Sequence, residues 1–161
     1  RHGDWLTIGI DGGCTISGRS DATINRHGLR MGTAEIYAAV EGLPGVADTM
    51  IIDVEDGAGG SELIMFVVPD EGGELHAEAE AAIASAIRTS LSPRFVPDRL
   101  IAAPAIPLTL SGKKQELPIK RLFAGWPVSK VINADATATP VIPLDLRDST
   151  TCLPPRSAPG N

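Results

Sequence analysis

Two adjacent lysines, Lys113 and Lys114, follow a Ser-Gly pair in the stretch SGKKQELPIK (Ser111–Lys120). With Lys120 and Arg121 they make the densest basic cluster of a chain whose net charge is −6. An ammonium on a flexible four-carbon stem is a compact, mobile point charge, and a neighbouring glycine lets its backbone come close to a ligand. Such a group suits an anion: a carboxylate, a phosphate or both. The plain alternative is a solvated turn, and spacing by itself favours that. The phosphate-binding pattern GxxxxGK[ST] is excluded, since it requires Gly at 107 and Ser or Thr at 114, where the chain has Pro107 and Lys114. No GxGxxG with strand and helix context is present. His2, His27 and His76 fall at no metal-ligand spacing, so no metal site is expected, and no Ser-His-Asp order can be assigned.

A second stretch dense in possible chemistry is GRSDATINRHGLRMGTAEIY (18–37), with Arg19, Asp21, Asn25, Arg26 and Arg30 among three glycines. Read by spacing, it is the charged rim of a hairpin.

The elements that must position these residues follow from periodicity and turn chemistry. WLTIGI (5–10) and CTISGR (14–19) read as a hairpin across the Asp-Gly turn signal. ATINR and LRMG make a tighter one around His27-Gly28, where Gly28 can take the positive φ of the turn. Thr33 is the expected N-cap of a helix that has Glu35 in its first turn. That helix shows Ile36 and Val40 on one face and stops at the Leu-Pro-Gly of 43–45. TMIIDV (49–54) and ELIMFVV (62–68) are continuous apolar runs of strand length, joined by a glycine-rich loop. Leu75, Ala79, Ile83, Ile87 and Leu91 form a helical stripe that Ser92-Pro93 ends. RLIAAP (99–104) is a third strand candidate, and Pro118 marks the start of a last short helix.

The pattern predicts an α+β fold, a short sheet with helices packed on one face, spanning residues 21–125. At 161 residues the chain suits one domain with extensions. Hydrophobic residues make up 43% but aromatics only 4%, so aliphatic side chains must fill the core. A pI near 5.0 opposes a role in general nucleic-acid or anionic-membrane binding. No apolar run approaches the roughly 20 residues of a membrane span. Cys14 and Cys152 form no CxxC pair, which suits reduced thiols in a cytoplasmic protein. The chain opens on Arg1 in mid-pattern and is expected to be a piece of something longer. After Trp126 the periodicity decays into proline-bearing, low-period sequence. Residues 126–161 are therefore expected to be an extension, largely disordered after about 140.

Three quoted elements together resemble the adenylate-forming enzymes, the superfamily of acyl-CoA synthetases, luciferases and peptide-synthetase adenylation domains. GRSDATINRHGLRMGTAEIY is similar to the signature joining their large and small domains. HGDW (2–5) resembles the upstream GD element, and IPLTLSGKKQELPIKRL (106–122) the C-terminal lysine motif. All three stand in the family's order. The likeness runs from about Arg1 to Pro140 and is strongest toward short-chain acyl-CoA synthetases, in SPRFVPDRL (92–100) as well.

The resemblance implies that residues 1–20 end a large adenylation domain and approach a hinge, and that 21–125 form the small catalytic lid. It implies a ligase that makes an acyl-adenylate from ATP and a short-chain carboxylic acid, then turns the lid and passes the acyl group to CoA. The expected acid is acetoacetate, with acetate and propionate as alternatives. A non-catalytic nucleotide- or acyl-binding module is the alternative class. Implied partners are the large domain, ATP, CoA and the acid, with Mg2+ accompanying ATP and held mainly by the large domain; nucleic acid and membranes are not among them. Residue by residue, Asp4 matches the acid that binds the ribose hydroxyls, and Arg19 and Arg30 match arginines that meet ribose or phosphate. Asp21 matches the hinge. Lys113 matches the catalytic lysine of adenylation, bridging carboxylate and α-phosphate, with Lys114, Lys120 and Arg121 as its solvated surround. His27 and Gly28 match the hairpin lining the pantetheine tunnel, although the family more often has Ser or Gly before that glycine. Arg88 matches a basic residue near the CoA nucleotide, and Asn25 is expected to hold the hairpin. On its own the chain is expected to be inactive.

Overall fold

The computed structural model describes residues 4–10, 12–19, 23–26, 28–55, 60–70, 74–131 and 138. Asp21, His27 and the sequence after residue 138 lie outside the described residues.

Two short hairpins come first. β1 (Asp4–Ile8) pairs antiparallel with β2 (Cys14–Arg19). β3 (Thr23–Arg26) then pairs antiparallel with β4 (Leu29–Gly32). Gly28, at the tip of the second, has φ +79°, the left-handed conformation the tight turn demands. The α1 helix (Thr33–Val40) follows at once and buries Thr33, Ile36 and Val40. Its N-cap is Gly32 and not Thr33; Thr33 is already helical and turns its side chain into the protein, so no side-chain cap forms.

The central sheet has the order β5-β6-β7. β5 (Val46–Glu55) runs antiparallel to β6 (Ser61–Pro69), in a register that sets Met50 opposite Phe66, Ile51 opposite Met65 and Ile52 opposite Ile64. β7 (Arg99–Ala102) lies parallel to β6. A parallel neighbour needs a crossover connection, and α2 (Ala77–Ser90) supplies it, followed by a 3₁₀ turn at Pro93–Phe95. Leu75 and Leu91, the ends of the periodic stripe, fall just outside α2 yet pack against the same core as Ala84 and Ile87. α3 (Glu116–Phe123) begins two residues before Pro118, and α4 (Val128–Val131) follows it. Pro118 sits in the first turn of α3, where its missing N–H leaves no intrahelical bond unmade.

The unbroken apolar runs of β5 and β6 are explained by burial on both faces. Side chains alternate across a strand. Ile51, Leu63, Met65 and Val67 accordingly join Ile24, Ile36, Val40, Ile83 and Ile87 on one side. Met50, Ile52, Ile64 and Phe66 join Ile101, Ile106, Ile119 and Leu122 on the other. Helices therefore cover both faces of the sheet, α1 and α2 one and α3 the other, rather than one face as expected. The second core is closed by Phe123, whose ring meets Phe66 edge-on at 5.8 Å. The short helix expected at Pro118 thus forms a second layer, because Ile119 and Leu122 meet the far face of the sheet.

Candidate functional site

Lys113 lies in a closed turn between β7 and α3. Leu108 and Lys114 pair antiparallel at its base. The Thr109 N–H donates to the Lys113 carbonyl at 2.8 Å, and the Gly112 N–H to the Thr109 carbonyl at 2.8 Å. The Thr109 hydroxyl accepts the Lys113 N–H at 3.0 Å and lies 3.0 Å from the Ser111 hydroxyl. Gly112 has φ +77°, and space for a Cβ is open there, so the glycine is present for its backbone conformation and not for room. The turn holds the Lys113 backbone while its side chain stands exposed. Leu110, on the same tip, is also exposed.

Lys114 behaves oppositely and corrects the expectation of a solvated surround. Its ammonium pairs with Asp48 Oδ1 at 2.6 Å, donates to the Thr49 carbonyl, and lies 4.2 Å from the centre of the Tyr37 ring. The Tyr37 hydroxyl donates to Glu116 Oε1 at 2.5 Å and accepts the Ile51 N–H at 3.1 Å. Burial, reinforced by the Glu116 carboxylate, pushes the Tyr37 phenol well above its usual range, so it stays protonated and keeps donating. β5 is an edge strand, and the Thr49 carbonyl and Ile51 N–H belong to its free edge. Tyr37 and Lys114 satisfy the backbone groups that edge strands otherwise leave open. Of the rest of the basic cluster, Lys120 is half-buried, and Arg121 is exposed with its guanidinium 5.8 Å from the Trp126 ring.

The first hairpins carry the other expected residues. Asp4 and Arg19 are register partners across β1 and β2. Arg30 is exposed on β4, directly opposite the exposed Asn25. Arg26 is buried: it pairs with Asp98 at 2.8 Å and reaches the carbonyls of Arg94 and Ser61 at 3.4 Å. Asp98 also accepts the Leu63 N–H at 2.8 Å, which locks the β3–β4 hairpin to the central sheet. Arg88 is exposed in the last turn of α2. It therefore stands on a helix packed against the sheet face opposite to α3, and the fold does not bring it together with Lys113.

Sequence reasoning missed Tyr37, Asp48 and Glu116. Tyr37 carries a signal in hindsight, as the single tyrosine of the chain set beside the buried stripe of a helix, where its hydroxyl needs a partner. Asp48 stands just before the apolar run that begins at Thr49 and falls inside β5 only because the observed strand starts earlier, at Val46. Among the described residues no three His, Cys, Asp or Glu side chains gather as a metal-ligand set, and no helix is long and apolar enough to cross a membrane.

Residues 35–113 match the family described as AMP-binding enzyme C-terminal domain. The chain is 44% identical over 132 residues to a Caenorhabditis elegans protein named acetoacetyl-CoA synthetase, covering 80% of this chain and 19% of that one. It is 42% identical over 141 residues to the Rhizobium meliloti acetoacetyl-coenzyme A synthetase, covering 86% and 21%. The solved structure of acetoacetyl-CoA synthetase from Streptomyces lividans superposes with a TM-score of 0.74 at 41% identity, over 86% of this chain and 20% of that chain. The chain thus spans about a fifth of the length of the curated relatives it matches.

Proposed function

The chain belongs to the AMP-binding enzyme C-terminal domain family, and on that premise we propose that it is the C-terminal part of an ATP-dependent ligase joining acetoacetate to CoA. In the first half-reaction an acetoacetate oxygen attacks the α-phosphorus of ATP, and pyrophosphate leaves with the electron pair of the broken bond. In the second, the CoA thiol sulfur attacks the acyl carbon, the thiol proton is lost, and AMP departs. The observation that carries this reading is the Lys113 turn: one exposed ammonium on a hydrogen-bonded tip, in a chain similar to enzymes named for this chemistry.

Lys113 is the residue assigned to adenylation. Its charge meets the negative charge that redistributes between carboxylate and α-phosphate, and a preorganised charge of this kind acts mainly on the transition state. Asp4 is assigned to the ribose hydroxyls as a two-oxygen acceptor, and Arg19 and Arg30 to ribose or phosphate through the guanidinium fork. Asp21 is assigned to the hinge, and His27, Gly28 and Arg88 to CoA. Arg88 stands on α2, which packs on one face of the sheet, and Lys113 on a turn anchored at the free edge of β5, a separation that suits a lid presenting them in turn by rotating about residue 21. Mg2+ enters with ATP as part of the substrate, held mainly outside this part of the ligase. Residues 1–20 close the large domain, 21–125 form the lid and 126–161 an extension, in a cytoplasmic enzyme.

The test is pyrophosphate exchange into ATP by the whole ligase, with each acid supplied in turn. Acetoacetate is expected to drive exchange and, with CoA, to yield the thioester. Exchange driven better by acetate or propionate overturns the substrate, and no exchange with any of the three overturns the ligase.

A further inference from the structure

The Lys113-Lys114 pair divides its labour within one turn, and the division has a consequence for catalysis. Successive side chains of an extended segment point to opposite sides, so Lys113 faces outward where Lys114 is drawn against the sheet edge. Three constraints act on the Lys114 ammonium at once: the Asp48 carboxylate at 2.6 Å, the Thr49 carbonyl, and the face of the Tyr37 ring at 4.2 Å. The two following residues are held as well. Gln115 is buried, and its Nε2 donates to the Leu108 carbonyl at 3.0 Å, while Glu116 accepts the Tyr37 hydroxyl. The chain leaving the turn is thus clamped at 114, 115 and 116, and the turn itself is closed between 109 and 113. Of the two lysines, Lys113 is the one whose side chain stays exposed. Asp48 also neutralises Lys114, so the inner ammonium does not compete for the anion the outer one is to meet.

We propose that Lys114 is a positioning residue for Lys113: anchored on Asp48, Thr49 and Tyr37 at the free edge of β5, it fixes the direction in which the Lys113 side chain leaves the turn. This rests on the adenylating role assigned to Lys113 above. A purely structural role would lower stability and both half-reactions together, whereas a positioning role acts on the step that uses Lys113.

The substitution Lys114→Met keeps the aliphatic stem and removes the charge. In the whole ligase it is expected to slow adenylate formation roughly ten- to a hundredfold, the scale of an ångström-sized misplacement. The KM values for ATP and acid should change little, and thioester formation from supplied acetoacetyl-adenylate should be retained. Lys114→Arg, which can still pair with Asp48 and stack on Tyr37, is expected to recover most of the lost rate. In the 161-residue chain, amide exchange at Thr109, Gly112 and Lys113 should accelerate in Lys114→Met while amides in the centre of β5 and β6 stay protected. Asp48→Asn, which retains an acceptor at that position, should reproduce both effects more weakly and serves if Lys114→Met does not fold. Turn amides that exchange at the parent rate, or an equal loss in the two half-reactions, overturn the positioning role. Intact adenylation in Lys114→Met beside a dead Lys113→Ala overturns it alone; intact adenylation in Lys113→Ala overturns the functional reading and the positioning role with it.

Discussion

Two turns of this chain are built alike and use their cations alike. In the β3–β4 hairpin Arg26 is drawn in to Asp98 and to the backbone carbonyls of Ser61 and Arg94, while Arg30 stays exposed across from Asn25. In the turn before α3, Lys114 is drawn in to Asp48 and the Thr49 carbonyl, while Lys113 stays exposed. Each turn has a left-handed glycine, Gly28 or Gly112, at its tip. The difference lies in depth. The side chains of the Arg26 pair are 7% and 30% exposed, against 25% and 39% for the Lys114 pair. The inner arginine therefore ties one hairpin to the sheet, and the inner lysine fastens a turn at its edge. Among neighbouring basic residues the fold makes one structural and leaves the other available to an anion.

That contrast can be broken most severely at Arg26. Removing one partner of a fully buried pair costs about 3–5 kcal/mol. Asp98 is 30% exposed and keeps the Leu63 N–H, so the loss of Arg26 should fall below that range while remaining the largest stability effect of the set. Arg26→Met should therefore unfold at much lower temperature and denaturant concentration, and a midpoint near that of the parent would show that the Arg26–Asp98 pair does not hold the hairpin. Arg30→Ala should behave in the opposite way. A hydrogen bond to a charged group contributes roughly 1.5–3 kcal/mol, so the KM for ATP should rise about ten- to a hundredfold with the melting temperature unchanged. A drop in melting temperature without any change in KM would place Arg30 with the structural members. The smallest effect compares the tips. Gly28→Ala and Gly112→Ala meet nothing within 4 Å of the new Cβ, so each should cost only the left-handed backbone, about 1–2 kcal/mol. Denaturant midpoints that differ widely between the two variants would mean the turns are not equivalent.

Periodicity and turn chemistry made most elements legible: the two hairpins, the paired apolar strands, α2 and the Lys113 turn all follow from local pattern. The last short helix was legible, but its place on the second face of the sheet was not, because that face is set by contacts of Ile119 and Leu122 with residues distant in sequence such as Phe66 and Ile101. Thr33 misled as a cap because Thr is also at home buried in a first turn. The assignment of Lys113 came from the motif around it and not from spacing. The sorting of Lys114 from Lys113, and of Arg26 from Arg30, is a tertiary fact: Asp48 lies 66 residues from Lys114 and Asp98 lies 72 from Arg26, and nothing local to either turn reports those partners.

The most direct test is the ratio of the two half-reactions in Lys113→Ala, measured in the whole ligase. Pyrophosphate exchange with acetoacetate and ATP should fall by about 10²–10³, the scale for removing one preorganised charge from a transition state. Thioester formation from supplied acetoacetyl-adenylate and CoA should stay near the parent rate, and the melting temperature should not move. An equal loss in both half-reactions would contradict the assignment of Lys113 to adenylation.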